Sequence, residues 1–188
     1  MSDDSPTEAF EHAEHAEHAA HSGSSFLALV SVTIAILAVI AATVGSLESI
    51  ETAATITAKN DAVLFQNKAT DTWNFFQAKS IKKNAYEIAA SQGTGPVNDF
   101  KAQAKRYGTE QKDLQEKGDA LEKQTEAKLM ESERHEERHH VLTISVTLLH
   151  VAIAIATLSI IMHEARWPWY SAIALGILGM LGTAFAYL

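Results

Sequence analysis

The chain has no cysteine. Disulfides, thiolate metal sites and thiol nucleophiles are therefore excluded. Proline is nearly as scarce: three in 188 residues, Pro6, Pro96 and Pro168, so long stretches run without a helix breaker. Positive charge is missing from residues 1–25, which hold Asp3, Asp4, Glu8, Glu11, Glu14 and Glu17 but no lysine or arginine. That absence argues against a cleaved secretory signal, whose first region is basic. Residues 26–45, 141–162 and 167–188 contain no Asp, Glu, Lys or Arg. Each run is long enough to cross roughly 30 Å of hydrocarbon as a helix, which argues against a soluble globular enzyme.

What remains is one polar insert. Residues 47–140 hold 14 Lys/Arg and 16 Asp/Glu. That near-neutral mixture lacks the basic face of a nucleic-acid binder. The expected fold is an all-α membrane protein with three transmembrane helices. Its parts are an acidic tail over 1–25, spans over 26–46, 141–162 and 167–188, and the insert over 47–140. Ser5 and Glu8 form a capping box around Pro6, which predicts a short helix in the tail. Three spans put the insert and the C-terminus on one side. Lys128, Arg134 and Arg138 lie close to the membrane there, against Arg166 alone on the other side. The insert and C-terminus are thus predicted cytoplasmic and the N-terminus external.

Nothing breaks a helix from Leu47 to Gln92; Gly93-Thr94-Gly95-Pro96 is then a strong turn signal, after which helix resumes. This predicts a long antiparallel, coiled-coil-like hairpin turning at 93–96. In its second arm Phe100, Tyr107, Leu114 and Leu121 recur every seven residues, continuing through Lys128 and His135 to Leu142. Ala104, Gln111, Gly118 and Thr125 interleave with them, a poorly filled second position. In the first arm Leu64, Phe75, Ala78, Ile81, Ala85 and Ile88 make one stripe, expected to form the seam, with Phe75 near Leu114. Phe65, Trp73, Phe76 and Tyr86 then fall partly outside it, in a broad core or against another subunit.

Ala58-Lys59-Asn60-Asp61-Ala62-Val63-Leu64-Phe65-Gln66-Asn67 and Trp73-Asn74-Phe75-Phe76-Gln77-Ala78-Lys79-Ser80-Ile81-Lys82 resemble the core of a bacterial membrane family. It is catalogued as domain of unknown function 4337. The resemblance runs from the first span to the C-terminus and implies a bacterial inner-membrane location. It carries no activity, substrate or catalytic residue.

Three constellations bear chemistry. His135-Glu136-Glu137-Arg138-His139 matches the H-E-x-x-H pattern, which sets two imidazoles and a carboxylate on one helix face in zinc peptidases. Both variable positions are charged, and a catalytic zinc needs a third ligand. Glu164 lies beyond a complete span. Divalent-metal binding by His135 and His139, helped by Glu131 or His140, is the alternative; a wet, charged turn is the plain one. In the tail, His12, His15, His18 and His21 repeat every three residues among glutamates. Neighbouring imidazoles on a helix suit zinc or copper; the plain reading is a solvated low-complexity tail. His150 is the ionisable residue inside a span. Such a residue is a functional-site hypothesis by default, against a neutral imidazole bonded to a hydroxyl such as Thr33.

The spans are rich in small-xxx-small pairs, among them Ala41/Gly45, Ala152/Ala156 and Ala172/Gly176, and Gly176, Gly179 and Gly182 form a smooth strip. These permit close helix packing within or between chains. Trp167, Trp169 and Tyr170 suit a membrane interface. The span hydroxyls read as scattered. The expected role is non-enzymatic, with no cofactor beyond a weakly bound divalent metal. It is a membrane-anchored interaction or scaffold protein that homo-oligomerises through its hairpin and small-residue faces. Its partners are the lipid bilayer, further copies and a cytoplasmic protein on the hairpin, not nucleic acid. The alternative is an ion or metal transporter component whose His/Glu tail collects cations; a zinc peptidase is the remote one.

Overall fold

The computed structural model describes residues 25–162 and 166–188. Over them the chain is all-helical: α1 (Ser25–Ser91, 67 residues), α2 (Val97–Ile161, 65 residues) and α3 (Arg166–Phe185, 20 residues). Each contains a stretch long and apolar enough to cross a membrane. Between α1 and α2 the backbone turns through Gly93 (φ 70°) and Gly95 (φ 81°), a left-handed region that side chains with a Cβ avoid. The Pro96 carbonyl accepts from Phe100 N–H at 3.1 Å, and Asp99 lies in the first turn of α2, where a negative charge meets the helix dipole favourably. Pro168 lies in the first turn of α3, where its missing N–H costs nothing.

The chain divides into two compact units, one of residues 25–53, 134–162 and 166–188, the other Ala54–Glu133. In the first, Val30, Ile34, Leu37, Ala41 and Val44 recur at three- and four-residue steps, one face of α1. They pack with Leu142, Leu149, Ala152, Ile153 and Ala156 of α2 and Ala172 of α3. The glycines of α3 set how closely the helices approach. A Cβ at Gly176 would lie 2.7 Å from Leu37 Cδ2, and one at Gly179 would lie 2.9 Å from Leu149 Cγ and 3.0 Å from the Ser145 carbonyl oxygen. One at Gly182 would meet Ser145 Oγ at 2.5 Å. The glycine strip is therefore occupied inside the chain. Trp169 Nε1 donates to Thr33 Oγ1 at 3.1 Å, and its ring meets Phe26 edge-on at 6.0 Å.

The second unit corrects the expected seam. Leu64, Phe75, Ala78, Ile81, Ala85 and Ile88 are exposed. The side of α1 turned inward carries Ala58, Phe65, Thr72, Lys79 and Tyr86 at seven-residue spacing, interleaved with Ala62, Ala69, Phe76 and Lys83. Tyr86 stacks on Tyr107 at 5.7 Å and tilts against Phe100 at 6.1 Å. The Trp73 indole lies over Gly118, so close that a Cβ there would be 2.9 Å from Cε2 and Cζ2, and its Nε1 donates to Glu122 at 2.7 Å. The physical reason is volume. Gly118 leaves a hollow on α2 that the flat indole of Trp73 fills.

Lysines complete this seam by lying along it. The methylenes of Lys83 cover Gly108, and Lys79 Nζ reaches Glu110 Oε2 at 2.6 Å. Arg106 Nε meets Glu110 Oε1 at 2.8 Å. The Lys79 ammonium, and next the Arg106 guanidinium, hold the Glu110 carboxyl below its ordinary range. Gln111 donates to Ser80, and Lys128 bridges Asp61 (3.4 Å) and Glu131 (2.9 Å).

Candidate functional site

The densest group of titratable side chains is in the first unit, where α1 and α2 leave their apolar stretches. Glu48 and Glu51 are three apart on α1, so both project from one side of it, and His135 and His139 are four apart on α2. Glu51 is 5 % exposed, nearly the burial of a core leucine. A carboxylate so placed needs partners, because an unpaired buried charge is costly. His135 Nδ1 lies 2.5 Å from its Oε2 and an Arg138 guanidinium nitrogen 3.9 Å from its Oε1. The Tyr187 hydroxyl also donates to it, with the Arg138 guanidinium 5.2 Å above the Tyr187 ring. Glu51 of α1 thus joins α2 to the C-terminal end of the chain.

Glu48 anchors the neighbouring pair. Thr143 Oγ1 is 2.5 Å from Glu48 Oε1, and His139 Nδ1 is 3.7 Å from that oxygen. Thr52 Oγ1 donates to the Glu48 carbonyl at 3.0 Å, which leaves its oxygen to accept from His139 Nδ1–H at 3.1 Å. Both imidazoles therefore direct Nδ1 at α1. Such an arrangement ties the helices together. Among the described residues no three or more His, Asp or Glu are disposed to hold a metal ion. The H-E-x-x-H pair is brought to Glu48 and Glu51, and His140 lies beside His139 with ring centroids 5.8 Å apart. His12, His15, His18, His21 and Glu164 lie outside the described residues.

Reasoning from sequence missed Glu48, Glu51, Thr52 and Tyr187. A signal for the first two existed. Reflecting the chain about the 93–96 turn brings Glu51 level with Arg138 and Glu48 level with Val141, within one helical turn of His135 and His139. Nothing local marked Tyr187.

His150 is exposed on the outward side of α2. Thr33, the suggested partner, instead donates to Leu29 O at 2.9 Å and accepts from Trp169. In the second unit an open cleft of 770 Å³ is lined by Lys83, Lys101, Lys105, Lys112 and Glu87. None of these is buried, so their charges are solvated and screened by salt.

Residues 26–188 match the family described as Domain of unknown function (DUF4337), and the chain belongs to that family. No curated protein and no solved structure matches it.

Proposed function

We propose that this member of the family is a non-enzymatic, membrane-inserted scaffold that associates with further copies of itself. In this reading α3 and the apolar stretches of α1 and α2 cross the bilayer, and residues 54–133 form an antiparallel hairpin on the cytoplasmic side. The observation that carries it is a pair of apolar patches left uncovered on one side of α1. Ile56, Val63, Ile81 and Ile88 are 55 %, 59 %, 69 % and 59 % exposed. Their spacings of 7, 18 and 7 residues set them on one side of a helix with 3.6 residues per turn. Leu64 (49 %) and Phe75 (62 %) flank them. Asn67, Thr70 and Asn74 occupy the same side between Val63 and Ile81, so these are two exposed apolar patches on one side of an ordered helix, and such patches mark an interaction surface. The small-residue strips of α2 and α3 are spent inside the chain, so copies meet elsewhere. The Glu48/Glu51/His135/His139 cluster is in this reading a structural clasp between helices, with no cofactor.

The absence of cysteine makes the test direct. A single Ile81→Cys variant in native membranes is expected to oxidise to a disulfide dimer, and Ile81→Glu with Ile88→Glu to lower the mass of the detergent-solubilised protein towards the monomer. A wild-type chain that is monomeric, with no Ile81→Cys dimer, refutes the reading.

A further inference from the structure

In the first unit the three helices differ in what they turn outward. The outward side of α1 carries Leu29, Val32, Ile36 and Val39, and that of α3 carries Ile177, Leu178, Met180, Leu181 and Phe185, all suited to lipid tails. The outward side of α2 is mixed: Ile144, Val151, Leu158 and Ile161 are exposed there, but a polar line runs beside them. Thr143, Thr147, His150 and Ala154 are exposed, with Thr157 half-covered. Their steps of four, three, four and three residues put them on one line along the helix. Three of the hydroxyls that look scattered in sequence, Thr143, Thr147 and Thr157, are therefore aligned on α2.

The threonines have settled their own donors. Thr147 donates to Thr143 O at 2.8 Å and Thr157 to Ala154 O at 2.7 Å. Each oxygen keeps lone pairs with which to accept. His150 has no such outlet: its imidazole makes no hydrogen bond or ion pair among the described residues. A polar group facing hydrocarbon without a partner is costly, and intramembrane ionisable residues face protein or water.

We propose that this line on α2 is a contact between two copies of the chain inside the bilayer, closed around His150. The inference rests on the membrane-inserted, self-associating reading above and names a second contact for it. A second copy is the occupant because copies inserted in one orientation bring identical residues to identical depth. Across a two-fold axis along the membrane normal, the partner offers its own Thr147 oxygen and imidazole at the level of His150. The side chain of Ala154, one turn on, is small enough for the backbones to approach. The imidazole N–H then donates across the axis to the partner's threonine oxygen or to the unprotonated ring nitrogen of its imidazole.

The test uses full-length single-cysteine variants oxidised in native membranes. Thr147→Cys and Ala154→Cys are expected to form disulfide dimers, and Ile177→Cys on the outward side of α3 is not. Adding His150→Leu is expected to reduce Thr147→Cys dimerisation about three- to tenfold, while His150→Asn, which keeps a donor, retains most of it. His150 is exposed, so neither change disturbs the fold of one chain. Dimers through Ile81→Cys but not through Thr147→Cys or Ala154→Cys overturn this inference and leave the scaffold reading standing. Equal linking of all three span positions overturns it as random collision, as does a Thr147→Cys adduct to a different protein. Unchanged linking with His150→Leu overturns the part given to the imidazole. No dimer from any variant, Ile81→Cys included, removes both readings.

Discussion

Adding one methyl group at Gly118 tests whether the indole of Trp73 truly fills the seam of the second unit. In an exposed helix interior Gly→Ala stabilises by about 1 kcal/mol. At Gly118 the new Cβ would lie 2.9 Å from two atoms of the indole. The ring cannot retreat freely, because its Nε1 is held by Glu122 at 2.7 Å and its edge contact with Phe76 has ring centroids 5.5 Å apart. Overpacking of this kind costs about 1–3 kcal/mol, so Gly118→Ala should be neutral to destabilising by about 2 kcal/mol. Gly108 is the internal control. A Cβ there meets only the flexible end of Lys83, at 3.7 and 3.8 Å, so Gly108→Ala should keep its full gain of about 1 kcal/mol. The assay is thermal unfolding of the detergent-solubilised chain, followed by helical circular dichroism. For a chain of this size 1 kcal/mol shifts Tm by about 2–4 °C, so the two variants should move in opposite directions or differ by several degrees. Trp73→Leu should release the conflict, and the double variant with Gly118→Ala should be more stable than the sum of the singles. Equal stabilisation by Gly108→Ala and Gly118→Ala, or strict additivity with Trp73→Leu, would refute the seam described for α1.

Two further outcomes follow from the charged contacts. Glu110 has its carboxyl held low by Lys79 and then Arg106, so its contribution is complete above the ordinary carboxylate range and lost as pH falls through the lowered value; the melting temperature should drop on acidification, and drop less in Glu110→Gln, with an unchanged pH dependence in that variant counting against the pairing. Glu51→Ala should lower stability by about 1–3 kcal/mol, because it removes the buried carboxylate that His135 and Arg138 meet, whereas a change at the exposed Glu137, Glu137→Gln, should leave thermal stability near wild type; equal effects of the two changes would show that Glu51 is not the anchor of the cluster.

How far the site was legible depends on range. The H-E-x-x-H spacing correctly sets His135 and His139 on one side of α2, because helical periodicity is local. Their partners lie 84 and 91 residues away on α1, and contacts at that separation are a property of the fold. His150 stood out from sequence as an ionisable group in an apolar run, but only the fold shows Thr33 engaged by Trp169 and His150 without a partner among the described residues.

The sequence by itself determined the helices and their apolar stretches. Charge-free runs, sparse proline and the two glycines at 93 and 95 act within a few residues, and such local preferences need no tertiary context. The heptad line of α2 from Phe100 to Leu121 was readable for the same reason. The inner side of α1 was decided only in three dimensions. Its strongest aliphatic line, Ile56, Val63, Ile81 and Ile88, is left outside, while Ala58, Ala62, Lys79 and Lys83 stand inside with the aromatic rings. Hydropathy ranks residues one at a time, but two helices facing each other select for complementary volume. A glycine on one calls for an indole on the other, and lysines lie inward where the methylenes of Lys83 cover a gap and the ammonium of Lys79 meets Glu110.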